Sequence, residues 1–169
     1  MEWYVLFVKS SKEEEVQKWL DFHFDMETLR SLIPKRRLAQ KKAGKSFSII
    51  KPLFPGYVFV CTSMDLNKYK IIKGIPELMR ILNYGTYYSS IENDEMATIL
   101  KLVGCDSVID YSKVFIENSR AIVIDGPLYG MESIIKKINK HTNRAKVQLN
   151  FMGELRYLDV GVEILYKID

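Results

Sequence analysis

The ten residues Lys51–Val60, Lys-Pro-Leu-Phe-Pro-Gly-Tyr-Val-Phe-Val, leave this chain the fewest choices. Pro52 and Pro55 hold φ at about −65° and lack N–H donors, so the backbone arrives stiff and extended. Gly56 then permits a bend or close approach that a side chain would obstruct. Tyr57–Val60 is wholly aromatic and β-branched, which suits a strand buried on one face and apolar on part of the other. Strand aromatics beyond the needs of one core face are either covered by another element or offered to a partner.

Around this segment the chain reads as strands and helices in alternation. Glu2–Val8 predicts a central strand, apolar on both faces. Ser11 and Glu14 have capping-box spacing, and Glu13, Glu14 and Glu15 suit a helix N-terminus. Val16, Trp19 and Leu20 then form one buried helical stripe. From Leu29 to Lys51 eight cations, from Arg30 to Lys51, occur with no intervening acid. Pro34 and the Ala43-Gly44-Lys45-Ser46 turn predict short edge strands joined by a hairpin loop. Those cations suit either nucleic-acid or acidic-protein contact, or a solvated edge guarded against aggregation.

Asp65 predicts the cap of a helix carrying Leu66, Tyr69 and Ile72 inward and ending at Gly74. Leu78–Leu82 reads as a strand and Asn83-Tyr84-Gly85-Thr86 as a turn. Met96, Ile99, Leu100 and Val103 mark a further amphipathic helix stopped at Gly104. Cys105–Lys113 shows no periodicity and reads as a connector. Beyond it the helical signal ends. Five short strands are predicted over residues 121–124, 134–138, 145–151, 155–158 and 162–166, as in a small all-β barrel. Alternation of Val147, Leu149 and Phe151 with Lys146, Gln148 and Asn150 gives that barrel an inner and an outer face.

Little points to catalysis, a metal or a membrane. His23 and His141 are the only histidines, and Cys61 and Cys105 lie far apart without zinc-site spacing. No phosphate-cradling glycine loop is present. No apolar run reaches the length of a membrane span, and no signal peptide is apparent, so the expectation is a cytoplasmic, cofactor-free monomer. The net charge of +4 says less than its distribution.

Three motifs in order, Trp3-Tyr4-Val5, Phe54-Pro55-Gly56-Tyr57-Val58 and Val123-Ile124-Asp125-Gly126-Pro127-Leu128, resemble the NusG family of transcription elongation factors. The resemblance implies an α+β chain. An NGN domain over residues 1–104, an antiparallel sheet flanked by helices, would be followed by a linker at 105–114 and an SH3-like KOW barrel at 115–169. It implies that the first domain rests on the β′ clamp helices of bacterial RNA polymerase through Tyr4, Phe54, Pro55, Gly56 and Tyr57. Rigid aromatics supply such contacts at low entropy cost, although Phe54 and Tyr57 would equally complete the domain's own core. Lys68, Lys70 and Lys73 are candidates for contact with non-template DNA.

The barrel departs from the usual family pattern. Lys136, Lys137, Lys140, His141, Arg144 and Lys146 occupy a stretch without acids between Glu132 and Glu154. Glu132-Ser133 replaces the usual glycine, and Met152-Gly153-Glu154 stands where Phe-Gly-Arg is usual, which weakens the case for Rho or ribosomal partners. These departures are similar to those of the LoaP-type specialised paralogues and, less closely, the RfaH type. They imply antitermination on particular operons, recruited by an RNA hairpin in the nascent leader transcript. Lysines would meet phosphates, and Arg144 would stack on or fork to a base. Five phosphate contacts would give a log–log salt slope of roughly −3 to −4. The other reading of this loop is a solvated charged hairpin. Alternatives for the whole chain are a general NusG factor coupling polymerase to Rho or the ribosome, or a ribosome-associated RNA-binding protein.

Overall fold

The structure is a computed structural model and describes residues 1–83 and 88–166. In chain order the elements are β1 (Glu2–Val8), α1 (Glu13–His23), β2 (Leu29–Leu32), β3 (Lys35–Lys42), β4 (Lys45–Pro52), β5 (Tyr57–Thr62), α2 (Leu66–Lys73), β6 (Leu78–Ile81) and α3 (Asn93–Val103). They continue with β7 (Val108–Ile109), β8 (Ser112–Glu117), β9 (Arg120–Asp125), a 3-10 turn (Glu132–Ile134), β10 (Ile135–Asn139), β11 (Arg144–Phe151) and β12 (Glu154–Ile164). Two compact units result: Met1–Pro34 with Phe54–Met96, and Lys35–Leu53 with Ala97–Asp169. Each is described by itself below.

In the first unit the sheet order is β2-β5-β1-β6. β5 pairs antiparallel with β1, from Glu2↔Thr62 to Phe7↔Tyr57. Strand alternation sends Tyr4, Leu6, Val8, Val58 and Val60 to one face, where they meet Val16 and Leu20 of α1 and Ile72 of α2. Trp19 packs against this core and stacks on His23 at 3.6 Å. The His23 Nδ1–H donates to the Trp19 carbonyl at 2.8 Å, so this histidine closes the helix end. The other sheet face is apolar too, with Val5 and Phe59 fully buried.

Two expected details of the first unit differ. Ser11 does not cap α1: Lys12 holds the N-cap position without a side-chain bond, because Ser11 is spent on a left-handed turn at φ 67°. Leu66 is 68% exposed, since α2 has room for one fully buried position, Ile72. Asp65 does cap α2, accepting from the Lys68 amide at 2.8 Å. The Asn83–Thr86 turn signal extends into residues outside those described.

In the second unit β3 and β4 form the expected hairpin, closed by Ala43-Gly44 with φ of 51° and 76°. β7 extends it, parallel to β3. A separate five-stranded sheet runs β10-β11-β12-β8-β9. Ala145, Val147, Leu149 and Phe151 of β11 are all buried, as their alternation requires. The stretch 105–114, expected to be a connector, carries β7 and the first residues of β8. The two strands expected over 155–158 and 162–166 are one strand, β12. Gly161 lies inside β12 at a close backbone approach, where an added Cβ would meet the Arg37 carbonyl oxygen, and the Tyr111 ring at 2.6 Å. The hairpin therefore packs directly on the barrel strand within this unit.

Candidate functional site

The turn Phe54-Pro55-Gly56-Tyr57 is built from the constraints that its sequence announces. The Tyr57 amide donates to the Phe54 carbonyl at 3.1 Å, and Gly56 sits at φ 83°. Proline at the first central position and a positive-φ glycine at the second make a type II turn. Three contacts hold it. The Gly56 carbonyl accepts from the Val8 amide at 2.8 Å. Its amide donates to Glu13 Oε1 at 2.6 Å, and an added Cβ would meet the Phe7 ring at 3.2 Å. Glu13 is 5% exposed, a buried acid whose position in the first turn of α1 brings it to that amide. From sequence Glu13 reads as a helix-end charge, and no local pattern distinguishes it from Glu14 or Glu15.

Of the residues expected at the polymerase contact, Tyr4 and Phe54 are core, at 5% and 3% exposure. The core role given as the other reading of Phe54 is thus the one its position fits. Pro55 is exposed, Gly56 buried and Tyr57 half-buried. Tyr57 meets Phe7 edge-on at 5.5 Å, and the Arg80 guanidinium lies 5.7 Å from the Phe7 ring centre. Pro55, Tyr57, Phe7 and Arg80 are therefore the accessible members of this group, with Tyr4 and Phe54 behind them. Burial, then the hydrogen bond donated to Glu2 Oε2 at 3.0 Å, pushes the Tyr4 phenol up to about 12.

The three α2 lysines are not equivalent. Lys68 Nζ lies 3.4 Å from Asp65 Oδ2 and donates to the Ser63 carbonyl at 2.7 Å. Lys73 Nζ stands 6.0 Å over the Tyr69 ring centre, and Lys70 is exposed.

In the second unit β10 and β11 bring the expected cations together on one hairpin. Lys137 faces Lys146, and Asn139 faces Arg144 across the strands. Asn139 Oδ1 accepts from the His141 and Thr142 amides at 3.0 and 3.2 Å, shaping the tip, and Asn143 closes it at φ 52°. Lys136, Lys137, Lys140, His141 and Lys146 are exposed, while Arg144 is half-buried. Like charges directly opposite, as in Lys137 and Lys146, destabilise a ladder, and on its other side Lys146 stands opposite Asp159 of β12. Arg36, which its cationic neighbours in sequence leave indistinct, donates from Nη1 to the Asp159 carbonyl at 2.6 Å. Burial lowers its affinity for the proton; the Asp159 charge opposes that and the Arg144 cation reinforces it.

The molecule thus combines an α+β unit holding a rigid aromatic turn with a β unit presenting cations free of acidic neighbours along the chain. The family model described as "Transcription termination factor nusG" matches residues 1–100. The chain belongs to the NusG family of transcription termination and antitermination factors. NusG of Rickettsia felis is 24% identical over 179 aligned residues, covering 99% of this chain and 91% of that one. NusG of Bacillus subtilis is 26% identical over 162, covering 89% of each. A solved structure titled as showing domain interaction in Thermotoga maritima NusG superposes with a TM-score of 0.60 at 25% identity, over 95% of this chain and 93% of that one. The α+β architecture with a C-terminal KOW-like β sheet is therefore that of the family.

Proposed function

We propose that this chain is a specialised antitermination factor. An NGN domain at residues 1–104 binds the β′ clamp helices of RNA polymerase and a KOW domain at 115–169 binds a hairpin in the nascent leader RNA; the segment 105–114 joins them through β7 and the start of β8. The observation that carries the RNA half is the β10–β11 hairpin. Six cationic or ionisable basic residues, Lys136, Lys137, Lys140, His141, Arg144 and Lys146, share it without an acid in its sequence. Lysines on such a surface meet phosphates, and the short polar groups of Asn139, Thr142 and Asn143 reach ribose and bases. The polymerase half is supported by the Phe54–Tyr57 turn. Exposed Pro55 and half-buried Tyr57 present the contact, and Tyr4, Phe54 and Gly56 fix its shape. Lys70 and Lys73 are better placed than Lys68 for non-template DNA.

Lys137→Glu with Arg144→Glu tests the RNA half. Hairpin binding in a gel-shift assay and operon-specific readthrough are both expected to be lost while the fold persists. Unchanged hairpin affinity removes that half of the proposal. Tyr57→Ala tests the other half through co-purification with polymerase.

A second reading, a general factor coupling polymerase to a protein partner, is favoured by one observation. Ile122 and Ile124 of β9 are 41% and 47% exposed and line an apolar depression with Phe115 and Leu165. Pull-down of Rho or ribosomal protein at the strength of a general family member would favour it.

A further inference from the structure

Between the β3–β4 hairpin and the tip of the β10–β11 hairpin lies a cleft of about 160 Å³, lined by Gln40, Lys41 and Ser46 on one side and His141, Asn143 and Arg144 on the other. Both walls belong to the second compact unit. The hairpin is seated there by the absence of a side chain at Gly161 and by the Arg36 bond to the Asp159 carbonyl. The Arg144 Nε–H is buried and meets no acceptor among the described residues. Arg36 Nε is in the same condition, and the two guanidinium groups repel each other. A polar site with cations on both walls and an unused buried donor is short of one thing, an anion.

We infer that this cleft is a composite RNA site, in which the β3–β4 hairpin grips the same transcript as the β10–β11 tip. This rests on the RNA-binding reading above and adds the second wall. A backbone phosphate enters between Lys41 and Arg144 and pairs with both cationic side chains. Gln40, Ser46 and Asn143 are short hydrogen-bonding groups at the height of a ribose, whose 2′-hydroxyl both donates and accepts. The cationic run in β3, open from sequence between nucleic-acid or acidic-protein contact and a solvated edge, acquires a use at its distal end. Its proximal members are already engaged: Arg36 with the Asp159 carbonyl, and Arg37 with Asp110 at 3.2 Å.

The test uses the full chain and a stem-loop RNA enriched on it from a pool with randomised loop and stem. Lys41→Glu and Lys51→Glu both reverse an exposed charge on the hairpin, so neither disturbs a core. Only Lys41 lines the cleft; Lys51 sits at the far end, opposite Arg36. Lys41→Glu is expected to weaken binding roughly tenfold and reduce the salt slope by about 1, with Lys51→Glu close to wild type. If Lys41→Glu has no effect while Lys137→Glu weakens binding, the composite site is overturned and the barrel reading survives. If Lys41→Glu and Lys51→Glu weaken binding equally, the hairpin acts as diffuse charge and the cleft is overturned. If no RNA is enriched, or Lys137→Glu is also silent, both readings fall. The same stem-loop made as DNA, bound as tightly and with the same response to Lys41→Glu, overturns the assignment to RNA.

Discussion

Replacing Glu13 separates a buried structural acid from its two solvated neighbours in sequence. The Glu13 side chain is 5% exposed and accepts from the Gly56 amide at 2.6 Å, and Gly56 is itself buried. In Glu13→Ala that amide keeps its burial and loses its acceptor. A hydrogen bond to a charged group contributes about 1.5–3 kcal/mol, and an orphaned buried donor costs about 1–3 kcal/mol, two views of one quantity rather than two terms. The expected loss is therefore about 2–3 kcal/mol. With a urea slope of about 2 kcal/mol/M, the unfolding midpoint falls by about 1–1.5 M. Glu13→Gln keeps an acceptor oxygen of the same reach and is expected to lose about 1 kcal/mol. Glu14→Ala, exposed one position on, is the control and is expected to stay within about 0.5 kcal/mol. Urea denaturation followed by far-UV dichroism and by tryptophan fluorescence measures all three. Glu13→Ala at the wild-type midpoint, or indistinguishable from Glu13→Gln, refutes the assignment of this side chain as the clamp on the turn. Because that turn is the proposed polymerase contact, Glu13→Ala should also lower polymerase co-purification more than Glu13→Gln does.

The remaining predictions concern packing, turn chemistry and titration. Gly161→Val forces a side chain onto the Arg37 carbonyl and the Tyr111 ring, so the unfolding midpoint should drop by the equivalent of about 1–3 kcal/mol, measured by urea denaturation. Met152 occupies φ 50° beside Gly153 at φ 76° in the two-residue turn between β11 and β12, so Met152→Asn should raise stability by about 0.5–1 kcal/mol in the same assay. Tyr4 is held protonated by burial and by its bond to Glu2, up to about 12. Its folded value lies above the unfolded one near 10, so its contribution to stability is fully present below pH 10 and is lost as pH rises toward about 12. The phenolate absorbance of wild type minus Tyr4→Phe should titrate near 12; titration near 10 would contradict the buried setting.

What the sequence disclosed, and what it hid, follows from the range of the forces involved. The Pro55-Gly56 turn, the Ala43-Gly44 hairpin and the alternation through Val147–Phe151 are set by neighbours in the chain, and all three stand in the structure. The continuity of β12 through Gly161 was not legible, because that glycine answers to the Arg37 carbonyl, more than a hundred positions away. Ser11 misled for a different reason: the turn leaving β1 took its backbone before the helix could. Glu13 and Arg36 were illegible as individuals. Each stands in a run of like charges, and only the fold decides which member meets a backbone group far along the chain. Tyr4 and Phe54 illustrate the limit of motif reading at the proposed site, since a motif marks residues without saying whether they face a partner or support those that do.

The central claim is that structured RNA is recognised by the cations of the second unit. Its most direct measurement is the affinity of the full chain for the enriched stem-loop, against an unpaired RNA of scrambled sequence, over a series of salt concentrations. Clear preference for the stem-loop is expected, with a log–log slope of roughly −3 to −4 and loss of that preference in the Lys137→Glu, Arg144→Glu double variant. Equal affinity for the two RNAs, or a preference that survives the double variant, would contradict it.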